Sequence, residues 1–359
     1  MKKQYKFIIT AGGTGGHILP GLSIYQLLKR DDHRVKFICR KKDYNFIKDL
    51  RSIRKDLVFF SGIGFRRRID LRNILFIYHL VINILRSFIL FCRYYPDAVI
   101  SMGGYITFPV LFTSVLLGIP FFICEQNSYP GMVNRIFKDR AKKVFVNFEY
   151  SKKIFKNAIV TGNPIRGELK KKISVKEAYS FFKFKKKRKV LLIMGGSQGS
   201  LKINSVFRNT LPLLDRYNII WLVGKANYDQ FKKYKKDNVR IFGYLKEMTY
   251  VYTVADLAIC RAGAMSITEL AYFGVPALFI PLPGSANDHQ YLNARTIIRS
   301  GGGEMLEERR LEEEVLSEKI RRLLEKDVLL TKYKNNIKKF YRQESEDKIA
   351  KTIYLMIKT

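Results

Sequence analysis

Along this chain, short apolar runs alternate with longer stretches whose apolar residues return every three to four positions, so strands and helices are predicted in turn. Residues 5–10 (YKFIIT) make the first strand-like run; the glycine-rich AGGTGGH follows, and then LPGLSIYQLLKR at helical spacing. The same unit returns further on as VLLIM, GGSQGS and LKINSVFRNTLPLL. Between and after these, VKFIC, DAVIS, PFFIC, KVFVN, IIWLV, VRIFG, DLAIC and PALFI read as strands separated by helical stretches. Alternation of this kind predicts parallel sheets covered on both faces, and a duplicated opening predicts two doubly wound α/β domains.

The 359 residues suit two such domains better than one core. The break is expected near Gly162, Asn163 and Pro164, where a turn tripeptide precedes the Lys-rich stretch 170–189. Residues 71–95 (LRNILFIYHLVINILRSFILFCRYY) are apolar enough to suggest a membrane span, but Asn73, His79, Asn83 and Arg86 interrupt them. Two compatible readings remain. One is a buried helix; the other is an interfacial helix that sinks Leu75, Ile82 and Leu85 into headgroups while Arg66, Arg67 and Arg68 meet anionic lipid.

Composition adds a field to this frame. With 66 Lys plus Arg against 31 Asp plus Glu, the chain carries +35, which recruits polyanions: nucleic acid, anionic headgroups or phosphorylated substrates. Lys-rich drift on solvated faces accounts for part of it. Basic residues interleaved with aromatics in a recognised nucleic-acid module are not found, so no specific nucleic acid is expected. Cys39, Cys92, Cys124 and Cys260 lie beside apolar runs without metal-ligand or CxxC spacing and read as buried reduced thiols. MKKQYKFIITAGG lacks the apolar region and cleavage site of a signal peptide, so a cytoplasmic setting is expected.

Glycine turns between a strand and a helix gather backbone N–H groups at a positive helix end, which suits an anion. Neither GGTGGH nor GGSQGS has dinucleotide-fold or NTPase spacing. Seven blocks, however, occur together and in order: GGTGGHILPGLSI, SMGGYITFP, EQNSYPGMVNR, TGNPIR, MGGSQGS, CRAGAMSITELAYFGVPALFIPLP and DHQYLNA. This set resembles the bacterial lipid-intermediate N-acetylglucosaminyltransferases of peptidoglycan synthesis.

The resemblance implies a GT-B architecture, two Rossmann-like domains with parallel sheets facing across a cleft. Residues 1–162 would bind acceptor and membrane, 163–340 would bind UDP-sugar, and 341–359 would form a C-terminal helix able to pack back on the first domain. The implied reaction moves N-acetylglucosamine, with inversion, from UDP-N-acetylglucosamine to the muramyl 4-hydroxyl of undecaprenyl-diphosphate-linked muramyl-pentapeptide. By similarity, Glu269 would accept from the ribose hydroxyls. Ser197 and the backbone of Gly196, Gln198 and Gly199, with Ala264 and Met265 at a helix start, would meet the diphosphate; Arg166 would supply a cation. The Leu245 backbone would read the uracil edge, with Tyr244 beside it. Relatives place paired glutamines against the transferred sugar; here the pair is His289 and Gln290, so Gln290 carries over and His289 departs. Thr14, Gly15 and Asn127 would border donor sugar and acceptor alike, and Gly103, Gly104 and Tyr105 would complete the acceptor loops.

The acceptor hydroxyl must lose a proton, and an imidazole with an ordinary pKa of ~6.5 suits that task. Of four histidines only His17 and His289 lie in motif loops; His17 is favoured as base, the other roles open to it being loop anchoring or a contact with lipid diphosphate. No DxD-like cluster appears, so neither a catalytic metal nor another cofactor is required. A GT-B glycolipid synthase acting on diacylglycerol is the alternative enzyme. The expected location is the cytoplasmic face of the cell membrane, peripherally bound to an anionic surface; partners among other cell-wall synthesis proteins are left open.

Overall fold

In the computed structural model, which describes residues 3–47, 51–62, 72–185, 187–196 and 198–358, the first apolar run forms β1 (Lys6–Thr10). Successive residues point to opposite faces: Phe7 and Ile9 enter one apolar cluster and Ile8 the other. Burial on both faces is why such runs are continuously apolar rather than alternating. The first unit, Met1–Arg166 with Arg342–Thr359, continues with β2 (Arg34–Arg40), β3 (Leu57–Phe60), β4 (Ala98–Ser101), β5 (Phe121–Glu125), β6 (Lys143–Val146) and β7 (Ala158–Val160). All pair in parallel, in the order β3-β2-β1-β4-β5-β6-β7.

The second unit, Gly167–Tyr341, repeats the plan with β8 (Val190–Met194), β9 (Asn218–Leu222), β10 (Val239–Phe242), β11 (Leu257–Cys260), β12 (Ala277–Phe279) and β13 (Gly303–Met305). Its parallel order is β10-β9-β8-β11-β12-β13. Its core is centred on Trp221, whose indole N–H donates to Asn204 Oδ1 at 3.0 Å while the Asn204 amide donates to the Val223 carbonyl at 2.9 Å. A buried aromatic with a polar edge is thereby satisfied.

In both sheets the strands reverse order beside the first strand of the unit, and the register brings the strand ends level. Thr10 stands opposite Ile38 and Ser101, and Met194 opposite Leu222 and Cys260. The turns that follow each strand therefore collect at the carboxyl edge of each sheet, where open α/β sheets bind ligands.

Three helices of the first unit matter below. α1 (Gly15–Arg30) follows β1 and buries Ile18, Leu22 and Tyr25. α2 (Arg72–Tyr94) turns Asn83, Ser87, Phe91 and Tyr94 inward, a stripe at helical spacing, and leaves Ile74, Leu75, Tyr78, Leu85 and Phe88 exposed. α3 (Thr107–Leu116) packs beside it and exposes Phe112 and Leu116. Among the described residues α2 is the one helix long and apolar enough to cross a membrane by length and composition. Its inward face is pinned: the Asn83 amide donates to the Ser61 carbonyl at 2.5 Å. The helix Ser345–Lys358 returns to this unit, setting Ile349 and Ile353 among Phe7, Ile18 and Tyr25.

One cysteine departs from expectation. Cys39, Cys124 and Cys260 are buried, and burial pushes the Cys39 thiol up to about 12, but Cys92 is exposed because it lies on the outward side of α2.

Candidate functional site

At the carboxyl edge of the first sheet, the turn after β1 is closed by three neighbours. Gly104 has φ +94°, and a Cβ there would stand 2.1 Å from the Gly12 carbonyl oxygen, so this approach admits only glycine. Asp43, 2% exposed, accepts from the Gly13 N–H at 3.2 Å and from Arg40 Nε at 2.8 Å. Burial alone would raise the Asp43 carboxyl, yet the Arg40 guanidinium and the Gly13 N–H outweigh it and hold it below the ordinary carboxylate range. Arg40 in turn lies 5.6 Å from the centre of the Tyr105 ring, and the Tyr105 hydroxyl donates to the Gly62 carbonyl at 2.5 Å.

His17, half-buried in the first turn of α1, sits against this frame. Its Nδ1 is 2.9 Å from the Gly12 carbonyl oxygen. A carbonyl only accepts, so geometry assigns the proton of the neutral ring to Nδ1 and the lone pair to Nε2. The Thr14 hydroxyl lies 3.5 Å from the same Nδ1. Gly103 faces the ring and the Asn134 amide: a Cβ there would meet His17 Nε2 at 3.3 Å and Asn134 Nδ2 at 3.5 Å.

Behind this pair stands Glu125, the last residue of β5. It is 2% exposed and accepts from Asn127 N (2.9 Å), Gly131 N (3.0 Å) and Asn134 Nδ2 (2.8 Å). Burial pushes its carboxyl up, and these donors only partly offset the shift. The buried Asn134 Oδ1 has no hydrogen-bond partner among the described residues.

In the second unit the turn 195–200 follows β8. Gly199 (φ +79°) approaches the Val223 carbonyl so closely that a Cβ would lie 2.2 Å from its oxygen. Ser200 caps the helix Leu201–Thr210, accepting from Ile203 N at 3.4 Å, and itself accepts from Arg261 at 2.8 Å. Arg261, 7% exposed, also donates to the Ile280 and Pro281 carbonyls at 3.2 and 3.1 Å and pairs with Glu308. One guanidinium thus ties together the turns after β8, β11 and β12.

Ala264 and Met265 open the helix Ala264–Phe273, whose later turn carries Glu269, 6% exposed, with Oε2 accepting from the Tyr252 hydroxyl at 2.8 Å. Leu245 is half-buried in the turn after β10, and Tyr244 is exposed with Lys225 Nζ 5.0 Å from its ring centre. After β12, Asn287 and Asp288 both take left-handed backbone (φ 53° and 49°) before His289 and Gln290. His289 Nδ1 lies 2.9 Å from the Ala286 carbonyl, and Gln290 Oε1 accepts from Leu282 N at 3.1 Å.

The fold therefore gathers Thr14, Gly15, His17, Gly103, Gly104, Tyr105 and Asn127 at the edge of one sheet. Gly196, Gln198, Leu245, Ala264, Met265, Glu269, His289 and Gln290 fall on the second unit's turns and their helices. Arg166 ends the first segment of the first unit. Ser197, Arg66, Arg67 and Arg68 lie outside the described residues. Sequence reasoning missed Asp43, Arg40, Glu125, Asn134, Arg261 and Tyr252. Glu125, Asn134 and Arg261 stood inside quoted motifs, but nothing in spacing marks a polar or charged group that will be buried behind a turn.

Comparison with known proteins agrees with this division. The family described as glycosyltransferase family 28 N-terminal domain matches residues 7–146, and the glycosyltransferase family 28 C-terminal domain matches 190–353. A UDP-N-acetylglucosamine--N-acetylmuramyl-(pentapeptide) pyrophosphoryl-undecaprenol N-acetylglucosamine transferase of Flavobacterium psychrophilum is 38% identical over 322 residues, 87% of each chain. The protein of the same name from Aquifex aeolicus is 35% identical over 344 residues, covering 95% of this chain and 97% of its own. Among solved structures, Acinetobacter baumannii MurG superposes with a TM-score of 0.77 at 24% identity, over 97% of this chain and 99% of its own. The calicheamicin glycosyltransferase CalG4 superposes at 0.74 with 13% identity, over 99% and 98%; these two likenesses speak to the fold.

Proposed function

The chain belongs to glycosyltransferase family 28, with both its N-terminal and C-terminal domains, and from that premise we propose that it transfers N-acetylglucosamine from UDP-N-acetylglucosamine to the undecaprenyl-diphosphate-linked muramyl-pentapeptide of peptidoglycan synthesis. Near-full-length relatives named for this reaction carry the proposal. None of the relatives described above is named for a diacylglycerol acceptor, so that alternative has no support.

In this reading the muramyl 4-hydroxyl oxygen attacks the anomeric carbon, the bond from that carbon to the diphosphate breaks, and UDP leaves with its electron pair. His17 Nε2 takes the hydroxyl proton. The observation that supports His17 as base is the Gly12 carbonyl at 2.9 Å from Nδ1, which leaves the lone pair on the other nitrogen. Charge on the leaving diphosphate would be met by Arg166 and by the backbone of Gly196, Gln198, Ala264 and Met265, groups set in place before reaction. Glu269 would hold the ribose, the Leu245 backbone the uracil, and His289 with Gln290 the sugar. Gly103, Gly104 and Tyr105 would border the acceptor, and Thr14, Gly15 and Asn127 the acceptor and the donor sugar alike.

The same reading puts the first unit on the cytoplasmic surface of the membrane. Leu75 and Leu85 on the exposed face of α2, with half-buried Ile82 beside them, would enter the headgroup region, and the arginines at 66–68 would meet anionic lipid. The pinned inward face of α2 supports docking rather than spanning.

The decisive experiment is transfer from radiolabelled UDP-N-acetylglucosamine to a lipid-linked muramyl-peptide with a shortened prenyl chain. Incorporation supports the assignment; incorporation into diacylglycerol instead would sink it. For the membrane, replacing Arg66, Arg67 and Arg68 by Gln should weaken binding to anionic vesicles by up to ~1 kcal/mol per charge, with little change on neutral ones. Equal partitioning of variant and parent would remove the lipid role of this patch.

A further inference from the structure

We infer that Tyr252 is a positioning residue for nucleotide recognition: its hydroxyl orients the Glu269 carboxylate toward the ribose diol. The inference rests on the reading of Glu269 as the ribose anchor and extends it to a residue that no motif contains.

The argument starts from what a buried carboxylate needs. Glu269 is 6% exposed on a helix whose neighbours Ile267, Leu270 and Ala271 are buried apolar residues. Such a group is costly unless donors meet it. The terminal torsion of a glutamate is broad, with no staggered well to set the plane of its oxygens. Something outside the side chain must therefore fix which way the carboxylate faces. The Tyr252 hydroxyl donates to Oε2 at 2.8 Å, and it comes from a different helix, Met248–Val254.

Tyr252 is itself well held. It is 3% exposed, and its ring stands 5.3 Å from that of Phe273 at 32°. Its hydroxyl is 4.0 Å from Met194 Sδ, and Met194 is the residue from which the chain enters the 195–200 turn. The tyrosine thus touches both the carboxylate proposed to read the ribose and the strand end that leads into the turn proposed to meet the diphosphate. A carboxylate has about four acceptor sites. The hydrogen bond from Tyr252 fixes the position of Oε2, and a vicinal diol, whose two hydroxyls donate together, needs a carboxylate held in a defined orientation.

The test separates orientation from packing by using two nucleotides, UDP and the analogue lacking both ribose hydroxyls, titrated against the folded parent, Tyr252→Phe and Glu269→Gln. Phenylalanine keeps the ring and its contact with Phe273 while removing only the donor. Tyr252→Phe is expected to weaken UDP about 10-fold, to change the dihydroxyl-free analogue less than about twofold, and to raise KM for UDP-N-acetylglucosamine with kcat largely kept. Glu269→Gln should show a loss selective for the same hydroxyls. If Tyr252→Phe weakens both nucleotides equally, or neither, while Glu269→Gln keeps its selective loss, the positioning role is overturned. If Glu269→Gln shows no hydroxyl-selective loss, the ribose reading itself falls and the inference with it.

Discussion

After β1 the turn directs the Gly13 N–H at the buried carboxylate of Asp43, and the Arg40 guanidinium stands behind that carboxylate; after β8 the order is reversed, with the Arg261 guanidinium against Ser200 and the Glu308 carboxylate behind it. Both turns share a backbone plan of strand, glycine approach and helix start, and both rest on an arginine–carboxylate pair. Only the sign of the nearer group differs. The nearer charge dominates the local potential, because Coulomb energy falls with distance. The first turn has thus spent one amide on an internal anion and presents an imidazole, which suits proton handling. The second keeps a cation next to its helix cap, which suits a diphosphate. A repeated backbone motif fixes where chemistry occurs; the polarity of the pair beneath it determines which chemistry.

The largest effect should come from the first turn. His17→Ala is expected to cut turnover by ~100-fold or more with UDP affinity intact, because a placed base contributes 10² to 10⁴ in rate. His289→Gln should keep most of the activity, since an amide replaces a hydrogen-bonding role but not a titrating one. An active His17→Ala beside a dead His289→Gln would place proton handling on the second turn's side and break the contrast.

Next in size is the anchor. Asp43→Ala leaves Arg40 without its buried partner and should cost about 3 kcal/mol in denaturant unfolding, while UDP binding to the folded protein stays unchanged. Weaker UDP binding would mean that the first turn also holds the nucleotide. At the second turn, Arg261→Gln should weaken UDP about 10-fold and uridine hardly at all. Equal losses for both would show that Arg261 braces the turns without contributing to diphosphate binding.

The smallest effect is on pH. The Asp43 carboxyl lies below its ordinary range, so the stability it contributes is complete above about pH 4 and is lost as pH falls through the lowered folded value. Glu125 has the opposite sign: its carboxyl is raised, so the folded state holds that proton more tightly and acidification through the raised value adds stability. Asp43→Asn should therefore flatten the acid limb of a stability profile, and Glu125→Gln should remove a gain on the same side of neutrality. An acid limb that survives Asp43→Asn would assign it to other carboxylates.

The strands that sequence revealed are mostly those buried on both faces, where continuous apolar runs are unavoidable. β3, β7 and β13 escaped notice, and all three are sheet edges. An edge strand has one neighbour and a partly exposed face, so GEM needs no apolar run, while LVFF and AIV are apolar but only four and three residues long. β10, the remaining edge, was legible because Val239 and Ile241 alternate inward. At the site, glycine turns and the histidines among them were visible because their chemistry is local. The groups that anchor them come from far along the chain: Asp43 stands 30 residues from Gly13, and Arg261 stands 61 from Ser200. Burial converts such residues from solvated charges into anchors, and burial is not written in their spacing.

The return of the helix Ser345–Lys358 to the first unit has a consequence for the order in which the protein is made. Ile349 and Ile353 lie among Phe7, Ile18 and Tyr25, and Tyr354 donates to Asp31 at 3.0 Å. The surface these residues cover is synthesised before the second unit and stays uncovered until the ribosome has passed through Gly167–Tyr341. At ~5 to 20 residues per second that interval is on the order of ten to thirty-five seconds. The nascent amino-terminal unit must remain soluble over that time with an open apolar flank, while the later unit has all its strands in hand as soon as it emerges. A segment made after the second unit is the one that closes the first.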